Sequence, residues 1–396
     1  MKKIIISLIA SALTLASYAQ IGQGDTTLNS ADRIILSNSK ITLGGYAQID
    51  YNQALNNNGT NKNGKMDVHR MVFLTGYKFS DNLSFVTELE LEHVKEVYVE
   101  QAFVNWRLND YMNFRGGLML VPMGIVNEYH EPVTYNGIER PNLDKYIIPS
   151  TWREMGAGFS GTIAELNLRY QAYIMNGFSS FDGSAKFSGK SALRGGRQKG
   201  AESTFSNLNY TSKIEYYGIS KLKVGVSGYF GKSQSTLYNN VGDENFESAT
   251  ADSSVVGLSM VSLDARYKNK GFEARAQYVL GNISNTTQYN TMFGTNLGSS
   301  IQGYYIEAGY DVLRLFPLKT DKRLVVFGRY ENYDTHNKVE KEMTKNESYN
   351  RTDVTLGLTF HIASGVALKA DFQQFKKEEA GSSISNQVNF GIGVWF

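Results

Sequence analysis

Residues 387–396 read Gln387-Val388-Asn389-Phe390-Gly391-Ile392-Gly393-Val394-Trp395-Phe396. Val388, Phe390, Ile392, Val394 and Phe396 share one parity; Gln387, Asn389, Gly391, Gly393 and Trp395 share the other. A period of two is that of a strand with unlike faces. The pattern recurs upstream. Lys369, Asp371 and Gln373 oppose Val366, Leu368, Ala370 and Phe372, and Asn167, Arg169, Gln171 and Tyr173 oppose Leu166, Leu168, Tyr170, Ala172 and Ile174.

Sixteen such segments follow one another: 41–51, 65–79, 83–91, 97–108, 113–120, 155–160, 165–174, 205–216, 222–230, 255–268, 272–280, 303–312, 323–333, 351–360, 366–375 and 387–396. Their connections alternate in length. Tight turns at 80–82, 109–112, 161–164, 218–221, 269–271 and 361–365 are interleaved with long loops at 52–64, 121–154, 176–204, 231–254, 281–302 and 334–350. Pro122, Pro132, Pro141 and Pro149 all fall in 121–154, and Pro317 falls in the turn 313–322. A ladder without edges accepts no residue lacking an N–H, so prolines confined to loops fit a closed sheet. Aromatic residues such as Tyr77, Phe79, Tyr216, Phe230, Tyr267, Tyr310, Phe360 and Phe396 sit at segment ends, as in interfacial girdles. The fold class expected is all-β: a 16-stranded antiparallel transmembrane β-barrel with short periplasmic turns and long extracellular loops. A soluble pair of sandwiches shares the alternation, but not the regular loop lengths or the charges at strand centres.

Composition agrees. The chain has 396 residues, 25 Tyr, 21 Phe, 5 Pro and no Cys. No disulfide framework or thiolate metal site is possible. Lys and Arg total 40 against 38 Asp and Glu, which excludes a nucleic-acid binder relying on a basic surface. Residues 1–19 read as a cleaved export signal, with Lys2 and Lys3, an apolar stretch over 4–16 and the small-x-small site Ser17-Tyr18-Ala19. Without Lys2 and Lys3 the 38 remaining basic side chains balance the 38 acidic ones. Residues 20–40 read as a periplasmic extension too small to be a plug domain, and 41–396 as the barrel. The expected location is the outer membrane of a Gram-negative bacterium.

Sixteen strands leave a water-filled lumen. Loop 121–154, stiffened by its prolines, is the candidate constriction. Parity directs Arg70, Arg115, Arg169, Arg275, Arg329 and Lys369 inward, with Glu88, Glu90 and Glu100 among the acids, and the loop adds Arg140 and Lys145. Inward acids and bases are about equal in number. Arg70, Arg115 and Arg169 are expected to form the basic side of the constriction, where a ring of one sign sets ion preference.

Several motifs carry a family likeness: Gly45-Tyr46-Ala47-Gln48-Ile49-Asp50-Tyr51, His69-Arg70-Met71-Val72-Phe73-Leu74-Thr75-Gly76-Tyr77, and Arg115-Gly116-Gly117 running into Pro122-Met123-Gly124. With the terminal aromatic Phe396, they make the chain resemble the phosphate-selective porin O/P-type outer-membrane porins, in the form common in Bacteroidota. The resemblance implies a homotrimer in outer-membrane lipid. It also implies passage of small hydrophilic or anionic solutes, phosphate among them, and recognition of the last strand by the outer-membrane insertion machinery. The other reading for such a barrel is an adhesin or surface-binding structural protein, with tips such as 56–63 and 282–300 polar and mobile. No enzyme, cofactor or metal centre is expected. His69, His93, His130, His336 and His361 are scattered, read as polar loop or strand-end residues, and show no metal-ligand spacing. The acidic stretch Asp243-Glu244-Asn245 reads as a solvated loop.

Overall fold

A computed structural model describes residues 28–55, 63–241 and 245–396. The expected signal 1–19, most of the tip 56–63, and residues 243–244 lie outside the described residues. The strands are β1 (Ile41–Ala54), β2 (Lys65–Ser80), β3 (Leu83–Glu92), β4 (Glu96–Asn109), β5 (Met112–Leu120), β6 (Arg153–Ile163), β7 (Leu168–Met175), β8 (Ser179–Phe181), β9 (Asn209–Tyr216), β10 (Leu222–Lys232), β11 (Gln234–Ser235), β12 (Gly257–Asn269), β13 (Phe272–Ser284), β14 (Ser300–Asp311), β15 (Arg323–Lys338), β16 (Asn350–Ala363), β17 (Val366–Lys377) and β18 (Ser385–Trp395). All but β8 and β11 form one closed antiparallel barrel, so it has 16 strands.

The last strand closes on the first, with Tyr46 opposite Trp395 and Ala54 opposite Gln387. Phe396 extends this seam by exchanging two backbone hydrogen bonds with Gly45, each 2.9 Å. A Cβ at Gly45 would lie 2.3 Å from the Val72 carbonyl oxygen, so only glycine fits there. Closure pairs the backbone internally, the condition for a sheet in hydrocarbon. Among the described residues no helix is long and apolar enough to cross a membrane.

Strand β9 shows the two faces. Tyr210, Ile214 and Tyr216 are exposed on the outside, while Thr211, Lys213 and Glu215 are buried inside. Phe73, Val104, Phe159, Leu263, Ile306 and Phe390 continue the outer apolar band. The expected strands all form, with shifted ends. The strand expected at 155–160 runs from Arg153 to Ile163, β15 continues to Lys338, and β9 begins only at Asn209.

The apolar core lies inside the barrel. Val121, Met123, Ile125, Leu143, Ile147, Ile148 and Trp152 of the long loop pack against wall residues Tyr229, Met260, Val279, Ile301, Tyr305 and Tyr333. Trp152 meets Phe178 and Tyr229 with ring centroids 4.5 and 4.6 Å away. The segment 282–300, read as a mobile polar tip, instead carries a helix, Thr286–Phe293, whose Tyr289 is buried in this core along with Leu297.

Of the expected extension 20–40, residues 28–40 are described. Ser30–Leu36 forms a helix capped by the Asn29 side chain, which accepts from the Asp32 N–H at 2.8 Å. This helix does not hang free of the barrel. Ala31 and Ile34 pack on the inward-facing Leu74, Val86 and Phe103, and the Arg33 guanidinium lies 3.7 Å from the Trp395 ring centroid.

Candidate functional site: the lumen and its inserted loop

Between β5 and β6 the chain turns into the lumen and crosses it. The Ile125 N–H donates to Gln277 on β13 at 2.7 Å. Lys213 on β9 donates to the Gly124 carbonyl and to Glu128, both at 2.6 Å. Lys369 on β17 donates to the Tyr135 and Gly137 carbonyls, both at 2.7 Å. The Ile138 N–H donates to Asp371 at 2.6 Å, and the Leu143 N–H to Glu331 at 3.0 Å. Arg329 reaches the Glu139 carbonyl at 3.2 Å. A loop has too few backbone partners of its own when buried, so the wall's charged side chains supply them.

That accounts for many charges expected to face water. Arg329 is fully enclosed, with ion pairs to Glu307 and Glu331 at 3.3 Å each. Arg275 pairs with Glu307 at 3.1 Å and donates to the Thr134 carbonyl. Glu88, Glu90 and Glu100 are buried against the loop on the β3–β4 side, together with His130. His130 and His336, read from sequence as polar loop or strand-end residues, are both buried.

The loop divides the interior into two cavities, with Tyr135 lining both. The larger, about 2020 Å³, opens toward the short turns and contains Arg115, Arg169 and Arg275. Arg70 lines the other, so the proposed trio is split between the two sides. Arg115 and Arg169 do come together, and Asp32 of the N-terminal helix bridges them. Arg115 Nη2 lies 3.0 Å from Asp32 Oδ1, and Arg169 binds the other carboxylate oxygen. Burial alone would raise the Asp32 carboxyl. The Arg169 and Arg115 guanidiniums overcome this and hold it below its usual value.

The smaller cavity, about 840 Å³, opens toward the long loops. Its basic lining is Lys65, Arg70, Arg140, Lys145, Arg153, Lys190, Arg194, Arg197, Lys199, Arg351, Lys376 and Lys377; its acids are Asp50, Asp67, Glu90, Glu92, Glu139 and Asp353. Arg140 and Lys145 of the inserted loop thus both line this cavity. Arg194 and Arg197 each donate to the Ser150 carbonyl at 3.0 Å, which fixes their loop over the inserted one. Burial, with Arg197 and Arg153 adding to it, pushes the Lys199 ammonium below its usual value. The inner cavity also holds more Lys and Arg than Asp and Glu. Sequence parity missed the outer imbalance because half of its basic residues, Arg140, Lys145, Lys190, Arg194, Arg197 and Lys199, come from loops. The run Arg194-Gly195-Gly196-Arg197-Gln198-Lys199 was its visible trace.

Buried within the loop, Asp144 accepts from Gln277 at 3.0 Å, but its other oxygen has no partner. Burial pushes this carboxyl up to about 7, with Gln277 opposing.

A sequence model of the family described as phosphate-selective porin O and P matches residues 41–389. An uncharacterized protein of Aquifex aeolicus (strain VF5) is 29% identical over 359 residues, covering 86% of this chain and 77% of that protein. Among solved structures, the anion-selective porin from Comamonas acidovorans is similar at TM-score 0.56, with 12% identity over 90% of this chain and 99% of that one. The outer membrane channel DcaP of Acinetobacter baumannii gives 0.56, with 11% identity over 90% and 97%. Salmonella typhi OmpF gives 0.57, with 12% identity over 90% and 97%. These structural likenesses establish the fold. With the family match they make the protein an outer-membrane channel of porin type. The chain belongs to the phosphate-selective porin O and P family.

Proposed function

We propose that the protein is a passive outer-membrane porin that favours small hydrophilic anions, with the inserted loop as its constriction. The observation that carries this reading is the excess of Lys and Arg over Asp and Glu in both cavities. Many wall acids are spent on the loop: Asp371 and Glu331 accept its backbone N–H groups. Low-dielectric walls around a single sign of charge concentrate the opposite ion. Crowding of Arg194, Arg197 and Lys199 supports the same reading, since an anion there relieves like-charge repulsion. Inorganic phosphate is the first solute to test. A cleaved export signal, recognition of β18 by the insertion machinery and a homotrimer belong to this proposal; OmpT of Vibrio cholerae, solved in a trimer form, shares the fold at TM-score 0.55. No catalytic step is part of it.

The test is reconstitution into planar bilayers across a KCl gradient. Stable open-channel currents with a reversal potential on the anion side are expected, and added phosphate should compete with chloride conductance. Cation preference would reject the anion reading. A barrel folded but without current would reject the channel itself.

A further inference from the structure

We propose that Glu88, Glu100 and His130 form a binding site for a divalent cation of the Zn²⁺ class, which clamps the inserted loop to the barrel wall. His130 Nε2 lies 3.8 Å from Glu88 Oε1 and 3.6 Å from Glu100 Oε2. Both distances are too long for hydrogen bonds. Ligands bound at about 2.0–2.2 Å to a tetrahedral ion lie roughly 3.3–3.6 Å from one another. Adjacent ligands of octahedral Mg²⁺, at about 2.0–2.1 Å, would lie near 3 Å. The two His130 spacings are nearer those of a tetrahedral centre than of an octahedral one, and need a closure of a few tenths of an ångström. One ligand atom from each of the three residues lies within 4.8 Å of the others.

Two of the three atoms facing this centre have nothing else to bind. Glu88 Oε1 and His130 Nε2 are buried and without hydrogen-bond partners, and Glu100 faces the centre with Oε2. The outer atoms of His130 and Glu88 are held, and Glu100 is oriented through Oε2 itself. Asn127 O lies 3.1 Å from His130 Nδ1; a carbonyl only accepts, so Nδ1 carries the hydrogen. Gln101 donates to Glu88 Oε2 at 2.6 Å, and the Tyr46 hydroxyl to Glu100 Oε2 at 3.1 Å. Such outer contacts orient metal ligands. A register shift after Glu88 pairs it with Gln101 and Leu89 with Val99. Glu100 is the extra residue, turned inward beside Gln101 by this bulge.

Two carboxylates and a neutral imidazole neutralise a dication, which suits a buried site. The competing occupant is a proton, making His130 an imidazolium between the two carboxylates. Arg153 Nη1, 3.8 Å from Glu100 Oε1, is the charge that opposes a metal.

The mature barrel would be refolded with Zn²⁺ present or loaded with Zn²⁺ after folding, desalted, and assayed for retained metal. Retention of a stoichiometric Zn²⁺ is expected by the first route. Glu88→Gln and His130→Asn should each weaken it at least about ten-fold. His69→Asn, in the separate group with Asp50 and Glu139, should leave it unchanged. Co²⁺ in the wild-type barrel should give the visible absorption of a tetrahedral centre, which keeps the test open where a variant fails to fold. No retention by either route, an octahedral Co²⁺ spectrum, or retention lost in His69→Asn but not in His130→Asn would overturn the site.

Discussion

The Asp32 carboxylate sits between Arg115 and Arg169, on the lining of the inner cavity that the proposed anion path crosses. Asp32→Asn removes one negative charge from that pair while keeping the side chain's shape. A charge at about 4 Å is worth ~1 kcal/mol even in water, a factor of about five in local ion concentration at low salt. We expect the anion-to-cation permeability ratio to rise roughly two- to five-fold in dilute KCl, with the gain fading in concentrated salt. An unchanged reversal potential would show that ions do not pass this pair. Asp144 gives a prediction of a different kind. Its carboxyl titrates at about 7 when folded against 3.8 ordinarily. The folded barrel thus keeps the proton to higher pH than the unfolded chain. The stability this proton supports is present at low pH, lost as pH rises from about 4 to about 7, and absent above. The full difference corresponds to ~4 kcal/mol. Asp144→Asn cannot ionise and can still accept from Gln277. Its unfolding temperature, read by heat-dependent gel migration, should exceed wild type at about pH 8 and approach it at about pH 4.

At the scale of elements, the inserted loop is held by side chains whose sequence reading pointed them only at water. Lys369 is the clearest, donating to two loop carbonyls and lying 4.2 Å from the Tyr135 ring centroid. Lys369→Met keeps the stem and orphans both carbonyls, at a local cost of about 2–4 kcal/mol. We expect a folded barrel with noisier and larger single-channel currents; quiet wild-type currents would mean the loop is anchored elsewhere. The loop's place was legible in the sequence, from its length and its four prolines. Its anchoring was not, because Lys213, Arg329 and Lys369 are contributed by separate strands and meet only when the barrel closes. The helix Ser30–Leu36 was equally hidden. Seven residues give too short an apolar period to announce a helix, and its partner Leu74-Val86-Phe103 is an apolar patch on a face read as polar. Deleting residues 28–38 should expose that patch and enlarge the inner cavity, raising conductance while the gel-shift signature of the barrel persists.

Across the whole molecule, two-residue alternation determines the barrel because every strand must offer one face to lipid and one to the lumen. It cannot determine where charge accumulates along the pore. The balanced acids and bases read from the strands become two cation-rich cavities only after the loop has drawn Asp371 and Glu331 under cover and the long-loop side has added Arg194, Arg197 and Lys199. This asymmetry is testable from one side of a bilayer. Arg197→Glu with Lys199→Glu changes the outer cavity by about four charges and leaves the inner cavity's lining intact. Exposed and half-exposed charges act over a Debye length of about 10 Å at 0.1 M salt, so the effect should be large in dilute electrolyte and small near 1 M. Anion preference should fall toward neutrality or reverse when the dilute solution bathes the long-loop rim, and change less when it bathes the short-turn rim. Equal effects from both sides would instead place the selective barrier within the loop, at Tyr135 and its neighbours, where the two cavities meet.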